Sequence, residues 1–186
     1  MKQTFLIFYI WLYAASGLAA EWNPFMGFYQ NQIALNIGQG VNSGFIIPPP
    51  SQIVPFYLIH MQYSIPATFF GLPARQSINI AQTIGFGTKY GWQWDKFTIP
   101  MGFLSEDIAL VKYEKFYFAG GAGAGLQAQQ NKRLGAKLLF MFKLTAGWHL
   151  DEHWGLEVFM HHFSNANTAP ENYSYAFYGI GTTYQF

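Results

Sequence analysis

Ser77-Ile78-Asn79-Ile80-Ala81-Gln82-Thr83-Ile84-Gly85-Phe86-Gly87 is the stretch whose reading decides the fold. Ile78, Ile80, Ile84 and Phe86 alternate with the small or polar Ser77, Asn79, Ala81, Thr83, Gly85 and Gly87, and Gln82 is the one exception on the apolar side. A β-strand sends residues i and i+2 to the same face, so this is a strand with one greasy and one polar side. Tyr57, Ile59, Met61 and Tyr63 alternate with His60, Gln62 and Ser64 in the same way, as do Ala136, Leu138, Phe140, Phe142 and Leu144 with Lys137, Lys143 and Thr145.

Which face is outside follows from composition. The chain of 186 residues is 51% apolar, 20% aromatic and only 10% charged, whereas a water-facing domain carries about 25% charged residues. Too few charges exist to coat the polar faces of a soluble sandwich, so the arrangement inverts: apolar side chains face lipid and polar ones face inward. Eight strands are expected, at 31–41, 54–65, 74–88, 90–100, 113–126, 134–148, 153–164 and 174–186. Eight antiparallel strands make the narrowest transmembrane β-barrel, filled by side chains, which excludes a porin.

The first residues read as an export address. Lys2 precedes an apolar run from Phe5 to Ala15, followed by the small Ser16, Gly17, Ala19 and Ala20. This is the order of a signal peptide, and the run is too short to span a bilayer. We therefore expect residues 1–20 to be a cleaved signal peptide and 21–186 the barrel. Later apolar runs are interrupted by Gly, Pro or polar residues, and an exported greasy chain without spanning helices is accommodated in lipid as a closed barrel. Lys and Arg number 10 against 9 Asp and Glu, which argues against a nucleic-acid partner. The absence of cysteine excludes disulfides and thiol chemistry.

An even strand count puts both chain termini in the periplasm and the connections near 42–53, 89, 127–133 and 165–173 outside the cell. Pro48-Pro49-Pro50 stiffens the first of these. Gly120, Gly121, Gly123 and Gly125 read as small residues on a crowded strand, since no lysine or helix start follows to make a phosphate loop. Glu106-Asp107 reads as a solvated turn. His149 and His153 flank Asp151-Glu152 in a short solvated hairpin, and no metal site is expected.

Chemistry concentrates at the top of the seventh strand, in His161-His162-Phe163-Ser164-Asn165-Ala166. His162 and Ser164 share a face with Cα atoms roughly 6.5 Å apart, within reach of an imidazole–hydroxyl contact. Leu156, Val158 and Met160 lie on that face, so the pair looks toward lipid, where an idle polar pair is costly. Glu157 and His161 fall on the inner face as a buried polar network.

The run His162-Phe163-Ser164-Asn165-Ala166, together with Phe116 to Gly125, Arg133-Leu134-Gly135, Phe140 and the aromatic end at Phe186, resembles the lipid A 3-O-deacylase (PagL) family of Gram-negative outer-membrane barrels. The resemblance covers mainly the last 70 residues. It implies an outer-membrane esterase that removes the 3-O-linked acyl chain of lipid A without metal or cofactor, with Ser164 as nucleophile and His162 as base. Asn165 and the backbone at Ala166 would stabilise the oxyanion. The family's orienting acid would fall on Ala176, which cannot serve; Glu171 is the nearest acid, with Ser174 and Asn172 as neutral alternatives. Lys89, Lys132 and Arg133 are candidates for contacts to the lipid A phosphates of lipopolysaccharide. The alternatives are an outer-membrane phospholipase or other lipid esterase, and a non-catalytic envelope scaffold or adhesin; a homodimer is compatible with either.

Overall fold

The computed structural model describes residues 28–41, 53–86, 88–89, 92–93, 98–131 and 133–186. The expected signal peptide at 1–20, the triple proline at 48–50, Lys132 and the side chain of Lys89 lie outside that description. Eight long strands form the wall: β1 Gln32–Val41, β2 Ile53–Phe69, β3 Leu72–Gly85, β4 Pro100–Tyr113, β5 Phe116–Gln127, β6 Leu138–His149, β7 Trp154–Ser164 and β8 Tyr175–Gln185. Each pairs antiparallel with its sequence neighbours, and β8 pairs with β1 to close the barrel. Closure leaves no strand edge to satisfy in hydrocarbon.

One end carries tight turns. Phe70 and Gly71 both take positive φ, 48° and 80°, the pairing that a two-residue hairpin with right-handed strand twist requires. The β1 start and β8 end, Gln32 opposite Gln185, lie at this turn end. The opposite, loop end carries the long connections between β1 and β2, β3 and β4, β5 and β6, and β7 and β8.

The fourth strand corrects the expectation at 90–100. Thr88–Lys89 and Trp92–Gln93 form only a small separate ladder, and the wall strand is Pro100–Tyr113. Met101, Phe103, Ser105, Asp107 and Ala109 point inward and are buried, while Leu104 and Leu110 are exposed. Glu106-Asp107 is therefore not a solvated turn: Asp107 is 2% exposed, inside the barrel. His149 is corrected too, since it is buried against Gln185, with Gln185 Nε2 3.1 Å from its Nδ1.

The outer wall is apolar as expected, with Ile33, Leu35, Ile37, Ile59, Met61, Ile78, Ile80, Leu156, Val158 and Ile180 exposed. Trp148, Trp154, Tyr184 and Phe186 gather at the turn end as an aromatic girdle, where rings sit half in headgroups.

The lumen divides in two. Toward the turn end lies a charge quartet. Arg75 Nε is 3.0 Å from Asp107 Oδ2, Arg75 Nη2 is 3.2 Å from Glu157 Oε1, and Lys143 Nζ is 2.7 Å from Asp107 Oδ1. Tyr117 donates to Glu157, Arg75 donates to Gln32, and Gln62 donates to Asp107 at 3.1 Å. Two cations against two carboxylates leave the set neutral, which a low-dielectric interior demands. Gly121 and Gly147 permit it: a Cβ on either would collide with Asp107 or with the Tyr117 ring. Toward the loop end the lumen is an apolar plug, in which Phe163 packs on Phe103 and Phe177 at centroid distances of 5.1 and 5.9 Å, with Phe56, Leu58, Met141, Phe159 and Tyr175 around them.

Candidate active site

β7 places the candidate residues by simple alternation. Glu157, Phe159, His161 and Phe163 are buried inward, and His162 and Ser164 sit half-buried on the outward face at the loop end. The rigid anchor between them is Phe163, fully buried in the plug. Its fixed ring sets the orientation of the two side chains that flank it in sequence, because adjacent residues in a strand must point oppositely.

Register identifies the neighbours. His162 lies opposite Ala176 on β8 and Phe142 on β6, and Ser164 lies opposite Phe140. Ala176 therefore occupies the cross-strand position from which a long acidic side chain would meet the imidazole. No carboxylate of a described residue forms an ion pair with His162. Ser174 directly precedes Tyr175, the first paired residue of β8, which lies opposite Phe163.

The loop after Ser164 is tightly made. Ala166 and Asn167 hold positive φ of 49° and 60°, and the Thr168 N–H donates to the Asn165 carbonyl at 3.0 Å. Ala and Asn in the left-handed region cost about 1 kcal/mol each and persist only when the surroundings fix them. Asn165 does the fixing. It is 0% exposed; its Nδ2 donates to the Leu134 and Glu171 carbonyls, its Oδ1 accepts from the Asn167 N–H at 2.8 Å, and its own N–H donates to Asn172 Oδ1 at 3.1 Å.

The β5–β6 connection locks against it. Arg133 donates from Nε and Nη2 to the Ser174 carbonyl at 3.1 and 2.9 Å and lies over the Tyr175 ring, and the Tyr173 N–H donates to the Arg133 carbonyl. Gly135, at φ 59°, has the Glu171 carboxylate packed on it: Oε2 would be 2.8 Å from a Cβ there. Glu171 thus packs on the neighbouring connection, and Arg133 is spent on Ser174 and Tyr175. Of the residues singled out in the sequence, His162 and Ser164 come together on one face, Asn165 and Ala166 form the turn beside them, and Glu171 pairs with Gly135. The clamp of Asn131 and Arg133 on Tyr175 and Ser174 had no signal in the sequence beyond the glycine of Arg133-Leu134-Gly135. Among the described residues no cluster of three His, Asp or Glu suits a metal.

The model of the lipid A 3-O-deacylase (PagL) family matches residues 59–185, including β7, its turn and β8. The chain belongs to the lipid A 3-O-deacylase family. The crystal structure of the outer membrane enzyme PagL shares its fold at 14% identity, with a TM-score of 0.55 over 83% of this chain and 99% of that one. The Yersinia pestis outer membrane protein Ail in a phospholipid bilayer nanodisc is similar at 10% identity, with a TM-score of 0.50 over 85% of this chain and 99% of that one. No curated protein matches in sequence. Family and fold together put this deacylase-family chain in the Gram-negative outer membrane.

Proposed function

We propose that this chain hydrolyses the 3-O-linked acyl ester of lipid A, with Ser164 as nucleophile and His162 as general base. The observation that carries the reading is a His–Ser pair on the lipid-facing side of β7 at the loop end, within a chain that belongs to the deacylase family. There an acyl ester meets the hydroxyl while its chains stay in the bilayer.

In this mechanism His162 takes the Ser164 proton as the hydroxyl oxygen attacks the ester carbonyl. The tetrahedral intermediate collapses as the imidazolium returns the proton to the departing sugar alkoxide. Water, deprotonated by the same imidazole, then releases the fatty acid from Ser164. The oxyanion is held by the Ala166 N–H at the left-handed turn. Asn165, whose amide hydrogens go to Leu134 and Glu171, serves by holding that turn. With Ala176 opposite the imidazole, orientation of His162 falls to the Ser174 hydroxyl, whose backbone Arg133 fixes. Glu171 contributes through packing on Gly135.

The test is mass spectrometry of lipid A from Gram-negative cells expressing the full chain beside Ser164→Ala. Loss of one 3-hydroxyacyl mass with the intact serine only is the expected result. Unchanged lipid A, with the barrel shown folded in the outer membrane, overturns the assignment, and release of lysophospholipid instead transfers the same chemistry to a phospholipase.

A further inference from the structure

The connection between β7 and β8 carries a chain of side-chain amides whose direction is fixed by the backbone. The Asn165 N–H can only donate, so the Asn172 atom 3.1 Å from it is the oxygen, Oδ1. The other end of that amide is therefore Nδ2, which donates to Asn167 Oδ1 at 2.9 Å. With its oxygen taken, Asn167 ends the chain with its NH2 group. The residue is exposed, yet it is held: its N–H donates to Asn165 Oδ1 at 2.8 Å, and its φ is 60°. Non-glycine residues fixed in the left-handed region cluster at ligand clamps.

This chain of amides begins one peptide bond from Ser164. Below Ser164 the same face of β7 runs into hydrocarbon through the exposed Val158 and Leu156; the amides stand on the loop side. An ester at Ser164 whose acyl chain follows that apolar wall has its alcohol half among the loops. There the Asn167 NH2 offers two N–H donors, polarised by the link behind them and carrying no charge. The surroundings favour a neutral acceptor over phosphate. Arg133 is committed to the Ser174 carbonyl and the Tyr175 ring, and the exposed Glu171 carboxylate belongs to the same connection. Tyr173, next to Asn172, is 61% exposed. Neutral donors beside an amphipathic ring suit a sugar, which has hydroxyl edges and apolar C–H faces.

We propose that Asn167, held out by Asn172, recognises the sugar half of the substrate by donating to its hydroxyl or acylamide oxygens. Its orientation rests on Ser164 being the nucleophile, and binding is measured so that the two assignments fail separately. The full chain carrying Ser164→Ala is titrated in detergent with lipid A and with phosphatidylglycerol, an anionic lipid without a sugar, and bound lipid is counted by native mass spectrometry. Asn167→Gly, which accepts φ 60° and removes the amide, is expected to weaken lipid A binding about tenfold, the worth of one or two hydrogen bonds, and to leave phosphatidylglycerol binding as it was. Asn167→Asp, which keeps the oxygen that Asn172 donates to and replaces the NH2, gives at least the same loss for lipid A. Heat-dependent migration on gels establishes that each variant is folded. Lipid A binding indifferent to Asn167→Gly, a loss shared equally by phosphatidylglycerol, or a folded Ser164→Ala chain with no preference for lipid A each overturn the proposal, even where the parent chain is shown to hydrolyse lipid A. The expected loss in a chain whose parent releases no 3-hydroxyacyl group upholds the recognition and removes the nucleophile assignment alone.

Discussion

The two halves of the lumen are filled by opposite chemistry. Toward the turn end Arg75, Lys143, Asp107 and Glu157 neutralise one another; toward the loop end Phe56, Phe103, Phe163, Tyr175 and Phe177 pack with no charge among them. Both halves keep the barrel solid, but by interactions that fail differently. Ion pairs hold only as a complete set, because deleting one member strands a charge in low dielectric. Aromatic packing loses stability in proportion to the volume removed. His162 and Ser164 are backed by the second kind, so their placement rests on shape rather than on charge.

The largest expected effect comes from breaking the quartet. Lys143→Met leaves Asp107 and Glu157 against Arg75 alone and destabilises the barrel by about 3–5 kcal/mol, measured by urea unfolding in detergent or lipid. Turnover per folded molecule should stay near that of the parent, since no member of the quartet touches the outward face of β7. Phe163→Ala costs about 3 kcal/mol through the cavity it leaves, and here turnover per folded molecule falls as well, because the ring between His162 and Ser164 no longer fixes the strand. If Lys143→Met lowered specific activity and Phe163→Ala did not, the contrast between the halves would be reversed.

A sharper version adds rather than removes. Ala176→Glu places a carboxylate opposite His162 and is expected to raise kcat by about tenfold, or roughly 1.4 kcal/mol of barrier; Ser174→Ala lowers kcat in the parent but has little effect in the Ala176→Glu background. Glu171→Ala leaves kcat unchanged, and a marked loss there would return the orienting role to Glu171. The smallest effect lies at the turn end. The exposed Asp151 carboxylate accepts from the Trp154 and His153 N–H groups at 2.7 and 2.8 Å, which hold it below its ordinary value of 3.8. A carboxyl depressed in the folded state stabilises above its unfolded pKa and loses that contribution as pH falls through the depressed value. Asp151→Ala should therefore lower thermal stability slightly at pH 7 and not at all once the pH is below both values.

What the sequence made legible, and what it hid, follows the same division. The β3, β2 and β6 patterns were readable because every second residue is apolar and lipid accepts no other. β4 was hidden because its inward positions carry Ser105 and Asp107, which beside Glu106 resemble a solvated turn. The partners that make Asp107 admissible, Arg75 and Lys143, are 32 and 36 residues away, and no local window contains them. At the proposed site, the common face of His162 and Ser164 follows from spacing alone. The roles of Asn165 and Arg133 do not, because each acts on a separate connection across the rim, and only closure sets those connections side by side.

That closure has a consequence in time. β8 is the eighth strand of the wall, the one that seals the cylinder against β1 and sets Ala176 opposite His162. The wall around His162 is therefore complete only once β7 and β8 have paired. A chain that has not closed its cylinder holds His162 and Ser164 without the wall beside them, so the proposed hydrolysis is expected only of the completed barrel.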